Sequence, residues 1–218
     1  MRSVKILAAA IAALASLVTA QAQEFVPVSG KGRAIVVVSG AFGAGVYRPQ
    51  AQRLALLGYD VHLIDGRDLV GDEEAGLKAA IARARASVHA LPGKVGLVGF
   101  SLGGGQVLGR ATGWSGEIGA IVVMYPVTTD IADVARWAGQ ITVPVLLVTG
   151  EADAFRDCCR IGKARALAAA SRSQRSPLAL VSYAGVGHDF IIEGTNGFDH
   201  RATRDAWAKA SSWLRRFL

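Results

Sequence analysis

Val95-Gly96-Leu97-Val98-Gly99-Phe100-Ser101-Leu102-Gly103-Gly104 is the stretch on which the fold turns. Its first half is an apolar run without polar alternation, which reads as a strand buried on both faces; the segment after Ser101 reads as a helix. Between them stands Gly99-Phe100-Ser101-Leu102-Gly103, a G-x-S-x-G pentapeptide in strand, tight turn, helix context. The outer glycines let the chain turn sharply without a Cβ striking neighbouring backbone. The serine hydroxyl is then presented at the strand end, above the helix N-terminus, and Ser101 becomes a candidate nucleophile. Alone, the pentapeptide is equally a glycine-rich turn with a capping serine, so the rest of the chain has to decide.

Five similar apolar, β-branched runs lie outward from it: Ala34 to Val38, Tyr59 to Ile64, Ala120 to Met124, Val145 to Thr149 and Leu178 to Tyr183. Helical periodicity fills the gaps. Leu77, Ile81, Ala84 and Val88 follow Asp72, Glu73 and Glu74, acids that favour a helix N-terminus. Ala206, Ala210, Trp213 and Phe217 follow Thr203, which is placed to cap the last helix. Strand and helix alternate, which predicts an α/β fold: a mostly parallel sheet of about six strands with helices on both faces and right-handed crossovers. No sizeable insertion follows Met124, so no large lid is expected, and Trp114, Trp137 and Tyr125 read as core rather than pocket wall.

In such sheets ligands bind beyond the carboxyl ends of the strands. Those ends carry Ser39-Gly40-Ala41-Phe42-Gly43, Ser101, Gly150-Glu151-Ala152-Asp153 and Gly185-Val186-Gly187-His188-Asp189. A serine hydroxyl is a weak nucleophile at neutral pH. It needs a base, and the base needs a third group to fix its tautomer and stabilise its cation. Ser101, Asp153 and His188 supply the three types in the chain order of α/β-hydrolases. Among competitors, Asp157 falls where the next helix is expected to begin and reads as its cap. His62 lies inside a strand, His89 at the end of a surface helix and His200 before the final helix, while Asp189 reads as a loop anchor. An oxyanion needs two N–H donors. Leu102 offers one, and Ala41, with Phe42 next, the other. A dinucleotide loop needs G-x-G-x-x-G; the glycines at 40, 43 and 45 have the wrong spacing, although Asp65 ends the following strand.

With these segments in view the chain resembles the dienelactone hydrolase-like group of the α/β-hydrolases. The resemblance rests on Ser39 to Gly43, Leu54 to Asp65 (LALLGYDVHLID), Gly99 to Gly104 (GFSLGG), Gly150 to Asp153 (GEAD) and Tyr183 to Phe190 (YAGVGHDF). It implies the compact hydrolase fold and the Ser101, Asp153, His188 triad. Dienelactone hydrolase itself is similar but carries cysteine where Ser101 stands, so the resemblance does not carry its substrate over. Glu24 to Gly32 is too short for the two antiparallel strands that open many larger hydrolases, and a reduced sheet is expected.

The remaining features bound the function. Met1 to Ala22 has a basic start (Arg2, Lys5), an apolar stretch from Ile6 to Val18 and the small-residue site Ala20-Gln21-Ala22, the pattern of a secretory signal peptide. Residues 23–218 then form a single domain, periplasmic or secreted, with no stable membrane insertion after cleavage. The formal charge of +7 falls by two when Arg2 and Lys5 leave, and the remaining basic residues are spread over helical faces, which argues against nucleic acid as a partner. The two cysteines, Cys158 and Cys159, are adjacent. They either form a vicinal disulfide or stay reduced, with one buried as a small apolar residue; the second is the expectation, because free Cys packs well. The whole reads as a serine hydrolase acting on a small-molecule ester or other acyl substrate through an acyl-enzyme. That chemistry needs neither metal nor organic cofactor. Acyl transfer to an alcohol would use the same residues, and a binding module with dormant catalysis is the alternative from another class.

Overall fold

The computed structural model describes residues 22–218. The segment read as a signal peptide, apart from Ala22, lies outside the described residues. Seven strands are present: β1 (Gln23–Phe25), β2 (Gly32–Val38), β3 (Asp60–Ile64), β4 (Ala90–Phe100), β5 (Ile118–Met124), β6 (Val145–Gly150) and β7 (Leu178–Tyr183). They form one sheet in the order β1-β3-β2-β4-β5-β6-β7. All neighbours are parallel except β1, which runs antiparallel to β3 with Glu24 opposite His62. The α/β class, the parallel sheet and the reduced opening agree with the sequence. The one strand beyond the six expected, β1, is three residues long, too short to show a period of two. β4 starts earlier than its apolar run because Ala90 and Leu91 already pair with Gly32 and Arg33 ahead of a register shift.

Successive side chains on a strand point to opposite faces, and here both faces are covered. Ile35, Val37, Val98, Val122 and Leu146 pack under α1 (Arg48–Leu56) and α6 (His200–Phe217). Val36, Val38, Leu97, Ile121, Val123 and Leu147 face α2 (Glu73–Ala86), α3 (Ser101–Arg110), α4 (Val134–Gly139) and α5 (Ile161–Ser173). This double burial is why the strands read as unbroken apolar runs. Trp137 is core, its indole N–H donating to the Leu108 carbonyl at 2.8 Å, and Trp114 carries the Lys78 ammonium over its ring.

Two helix ends differ from expectation. α2 stops at Ala86 because Ser87 turns extended, and Val88 is left 79% exposed instead of joining Leu77, Ile81 and Ala84 in the core. α6 begins at His200 under Asp199, whose carboxylate accepts from the Ala202 N–H at 2.7 Å. Thr203, expected to be that cap, lies inside the first turn and donates its hydroxyl to the Phe190 carbonyl at 2.6 Å, tying α6 to the loop after β7. Only nine residues, 125–133, separate β5 from α4, consistent with the absence of a large lid. Among the described residues no helix is long and apolar enough to cross a membrane.

α6 closes one face of the sheet through Leu214, which is fully buried close to Gly96 of β4. Leu214→Ala is expected to cost about 2–5 kcal/mol, the lost transfer energy plus the cavity left behind, measured as a lower urea midpoint with unchanged m-value.

Candidate active site

Ser101 ends β4 and opens α3 with φ +47°, a left-handed conformation that non-glycine residues adopt at a cost of roughly 1–3 kcal/mol. The strain is held in place by neighbours. The Val127 N–H donates to the Ser101 carbonyl at 3.0 Å, and the loop after β2 passes directly over the serine. A Cβ at Gly40 would lie 2.3 Å from the Tyr47 hydroxyl oxygen and 3.1 Å from Ser101 Cβ, so only glycine allows that passage.

His188 and Asp153 arrive from the ends of β7 and β6. The two loops cross where a Cβ on Gly150 would sit 2.2 Å from the Val186 carbonyl oxygen, and the Ala152 N–H donates to that same oxygen at 2.9 Å. The crossing sets His188 Nδ1 2.7 Å from Asp153 Oδ2 and His188 Nε2 3.0 Å from Ser101 Oγ. With Nδ1–H donated to the carboxylate, Nε2 is left to accept the serine proton. The Asp153 side chain is wholly buried, and its other oxygen accepts from the Phe155 N–H at 3.1 Å. Phe155 stacks on the imidazole at 4.6 Å and 7°, and Tyr125 meets it edge-on at 4.8 Å. Tyr125 thus lies under the histidine as core. The three side chains that the sequence singled out converge from points 87 and 35 residues apart.

The competing residues are placed elsewhere. His62 is buried in β3 against Asp60 at 3.1 Å, His89 Nδ1 donates to the Gly30 carbonyl at 2.9 Å, and His200 is the first residue of α6. Asp157 does not cap α5, contrary to expectation. It sits in the 3₁₀ turn Phe155–Asp157 with φ +58°, exposed and paired with Arg160, while α5 starts at Ile161 with no side-chain cap. Asp189 anchors its loop through its backbone: its carbonyl accepts from the Ile192 N–H at 2.8 Å, while its carboxylate turns toward the site, with Oδ1 3.6 Å from His188 Nε2.

The expectation of a free thiol is overturned. Cys158 and Cys159 form a disulfide, S–S 2.08 Å, and no free cysteine remains. The chain has only these two cysteines, so the buried Cys159 has its neighbour as the one possible sulfur partner. The turn is pinned at Cys158, whose carbonyl accepts from the Thr128 N–H at 2.9 Å and its hydroxyl at 3.1 Å. Ligating atoms of Asp153, Cys159 and His188 lie within 4.8 Å of one another. The sulfur is committed to its disulfide and the other two groups to each other, so the cluster is organised as an acid–base pair beside a disulfide rather than as an open ligand set.

Ala41, Phe42, Tyr47, Ser101, Phe155, His188 and Asp189 line the pocket, whose void of about 10 Å³ holds one water at most. Phe42 and Phe155 stand half-exposed at its rim, 48% and 36%. The Leu102 amide lies in the first turn of α3, where helix amides lack an acceptor one turn back. The 39–44 loop is held by Asp65, a contribution that sequence reasoning missed. Its carboxylate accepts from the Ala44 N–H at 3.0 Å and from Arg67, and the Gly66 N–H donates to Ser39 Oγ at 3.1 Å. The Arg67 guanidinium, more than any other group, pulls the Asp65 carboxyl down to about 2, so it stays ionised across the neutral range. A strand-end acid beside a glycine loop was the available signal.

Two outcomes follow from this geometry. Asp153→Asn should lower turnover of a chromogenic ester by roughly a thousandfold or more, since His188 loses its tautomer and its cation loses support; Asp157→Asn should leave turnover nearly untouched, because that carboxylate faces solvent. The Asp65 carboxyl is depressed when folded, so its contribution to stability is fully present above its ordinary value of 3.8 and disappears as pH falls through about 2. The gap in thermal midpoint between wild type and Asp65→Asn should therefore be constant at pH 6 and above and should shrink toward pH 2.

The chain matches known proteins over this same architecture. It superposes on a putative dienelactone hydrolase from Klebsiella pneumoniae with a TM-score of 0.74 at 18% identity, covering 85% of this chain and 88% of that one. It superposes on a dienelactone hydrolase-like promiscuous phosphotriesterase from metagenomic libraries with a TM-score of 0.72 at 19% identity, covering 91% and 99%. A third match is Thermogutta terrifontis esterase 2, phosphorylated by paraoxon, with a TM-score of 0.69 at 16% identity, covering 92% and 95%. No curated protein sequence matches. At these identities the superpositions establish the fold. The model of the dienelactone hydrolase family matches residues 67–218, from the turn after β3 through α6, and the chain belongs to that family, as a serine hydrolase of the α/β-hydrolase fold.

Proposed function

We propose that this chain is an exported esterase that cleaves a small carboxylic ester, lactones included, through an acyl-enzyme on Ser101. The observation that carries the reading is the unbroken hydrogen-bonded line from Ser101 Oγ through His188 to Asp153. Ser101 Oγ attacks the acyl carbon as its proton passes to His188 Nε2. The Ala41 and Leu102 N–H groups receive the oxyanion where its charge develops. Collapse breaks the bond to the alcohol oxygen, which takes the proton from Nε2. Water then repeats the sequence and releases the acid. Asp153 holds the imidazole in register throughout.

The confined void supports a small acyl group or one that projects into solvent between Phe42 and Phe155. Two of the similar structures bear the names of an esterase and a promiscuous phosphotriesterase, which fits a serine able to attack both carbonyl and phosphoryl centres. Export is part of the proposal and rests on Met1 to Ala22. The intact mass of protein from the envelope or medium should begin at Gln23.

Ser101→Ala should abolish hydrolysis of p-nitrophenyl acetate and labelling by a fluorophosphonate while preserving the unfolding midpoint, since only one hydroxyl is removed. Turnover within about tenfold of wild type in the folded variant would exclude Ser101. Formation of a new ester when alcohols are added would identify acyl transfer in place of hydrolysis.

A further inference from the structure

Proton transfer accounts for Ser101, His188 and Asp153 but not for Asp189. Its side chain is 12% exposed and lines the same pocket as the serine. Among the described residues no N–H or O–H donates a hydrogen bond to its carboxylate, and its one ion-pair partner is His188 Nε2 at 3.6 Å, a cation only when protonated. Burial, and then the charge of Asp153, raise its carboxyl pKa, against a lowering by His188. It sits at φ +56°, in the left-handed region that Asp and Asn adopt more readily than other side-chain-bearing residues. The loop thus holds beside the nucleophile a carboxylate that, among the described residues, has no Lys or Arg ion-pair partner. The neighbouring walls are aromatic: Phe42, Tyr47 and Phe155. A largely buried carboxylate whose one ion-pair partner, His188, is charged only when protonated, set beside the half-exposed Phe42 ring, is the chemistry that recognises a cation.

Resting on the esterase reading above, we propose that Asp189 selects esters whose leaving alcohol carries an ammonium group. The side of the ester follows from the mechanism. His188 Nε2 returns its proton to the departing alcohol oxygen, which must come within hydrogen-bond reach of that nitrogen, and substituents on that oxygen then project past Asp189. A quaternary ammonium two carbons away meets the carboxylate and the half-exposed Phe42 together. A carboxylate in the same place meets like charge. Arg156, whose guanidinium lies 5.4 Å from the Phe155 ring centroid, is not one of the pocket-lining residues.

The test compares acetylcholine with its neutral isostere 3,3-dimethylbutyl acetate on the mature wild-type protein. Rates are followed by proton release, and each kcat/KM is divided by the hydroxide-catalysed rate of the same ester. The expected preference for the cation is about three- to thirtyfold, the range of a partly desolvated cation–aromatic and charge contact. Asp189→Asn keeps the volume and tolerates the left-handed backbone, and should bring the ratio to about one. Tetramethylammonium chloride should also inhibit wild-type hydrolysis of the neutral ester competitively, whereas sodium chloride at equal ionic strength should not; this readout stands even if the variant fails to fold. Equal corrected kcat/KM for the two esters, or a preference retained in Asp189→Asn, would overturn the role of Asp189 while leaving the esterase intact. Hydrolysis of neither ester, with no labelling by a fluorophosphonate, would reject the esterase reading and this inference with it.

Discussion

Parallel pairing of β2, β4, β5, β6 and β7 is the constraint on which everything else depends. Strands that run the same way all end at one edge, so residues remote in sequence are delivered to a common rim. Register then fixes their relative heights: Val38 stands opposite Gly99, Phe100 opposite Met124 and Gly150 opposite Tyr183. A slip of one residue anywhere in this ladder would turn every apolar side chain of that strand to the other face. The hydrophobic pattern that stabilises the sheet is thus the same information that aligns Ser101, Asp153 and His188.

The rim is built by close approach. Two backbone crossings, at Gly40 over the serine and at Gly150 under the histidine loop, bring chains nearer than any side chain would permit. Each crossing is locked by a polar residue without a reactive part in the proposed chemistry: Asp65 holds the first loop, and Thr203, reaching from α6 to the Phe190 carbonyl, holds the second. The strained φ of Ser101 persists because the loop after β2 passes against it and the Val127 N–H holds its carbonyl.

What could be read from the sequence is what repeats or terminates a repeat. Ser101, Asp153 and His188 each stand just beyond an apolar run, which is why the chain alone singles them out. Residues that act only through contact leave no such trace. Tyr47, Phe155 and Asp189 meet at one pocket from three different loops, and nothing in their local sequence announces it. Helix ends fail for a related reason: periodicity marks the buried turns, while the ends are set by single hydrogen bonds, as at Asp199. The cysteine pair was misread because adjacency suggests poor geometry for a bridge, whereas burial of Cys159 beside Asp153 leaves Cys158 as its one partner.

That bridge has an unusual thermodynamic character. A disulfide ordinarily stabilises by removing conformations from the unfolded chain, in proportion to the logarithm of the loop it closes. Between neighbours there is no loop, and the unfolded ensemble hardly notices the bond. Its influence is confined to the short turn that begins at Asp153 and ends where Thr128 holds Cys158. A covalent change at this pair would therefore be nearly silent in bulk denaturation yet felt within one turn of chain by the carboxylate that orients the imidazole. The presence of the bond thus matters to the geometry around Asp153 and hardly to the fold.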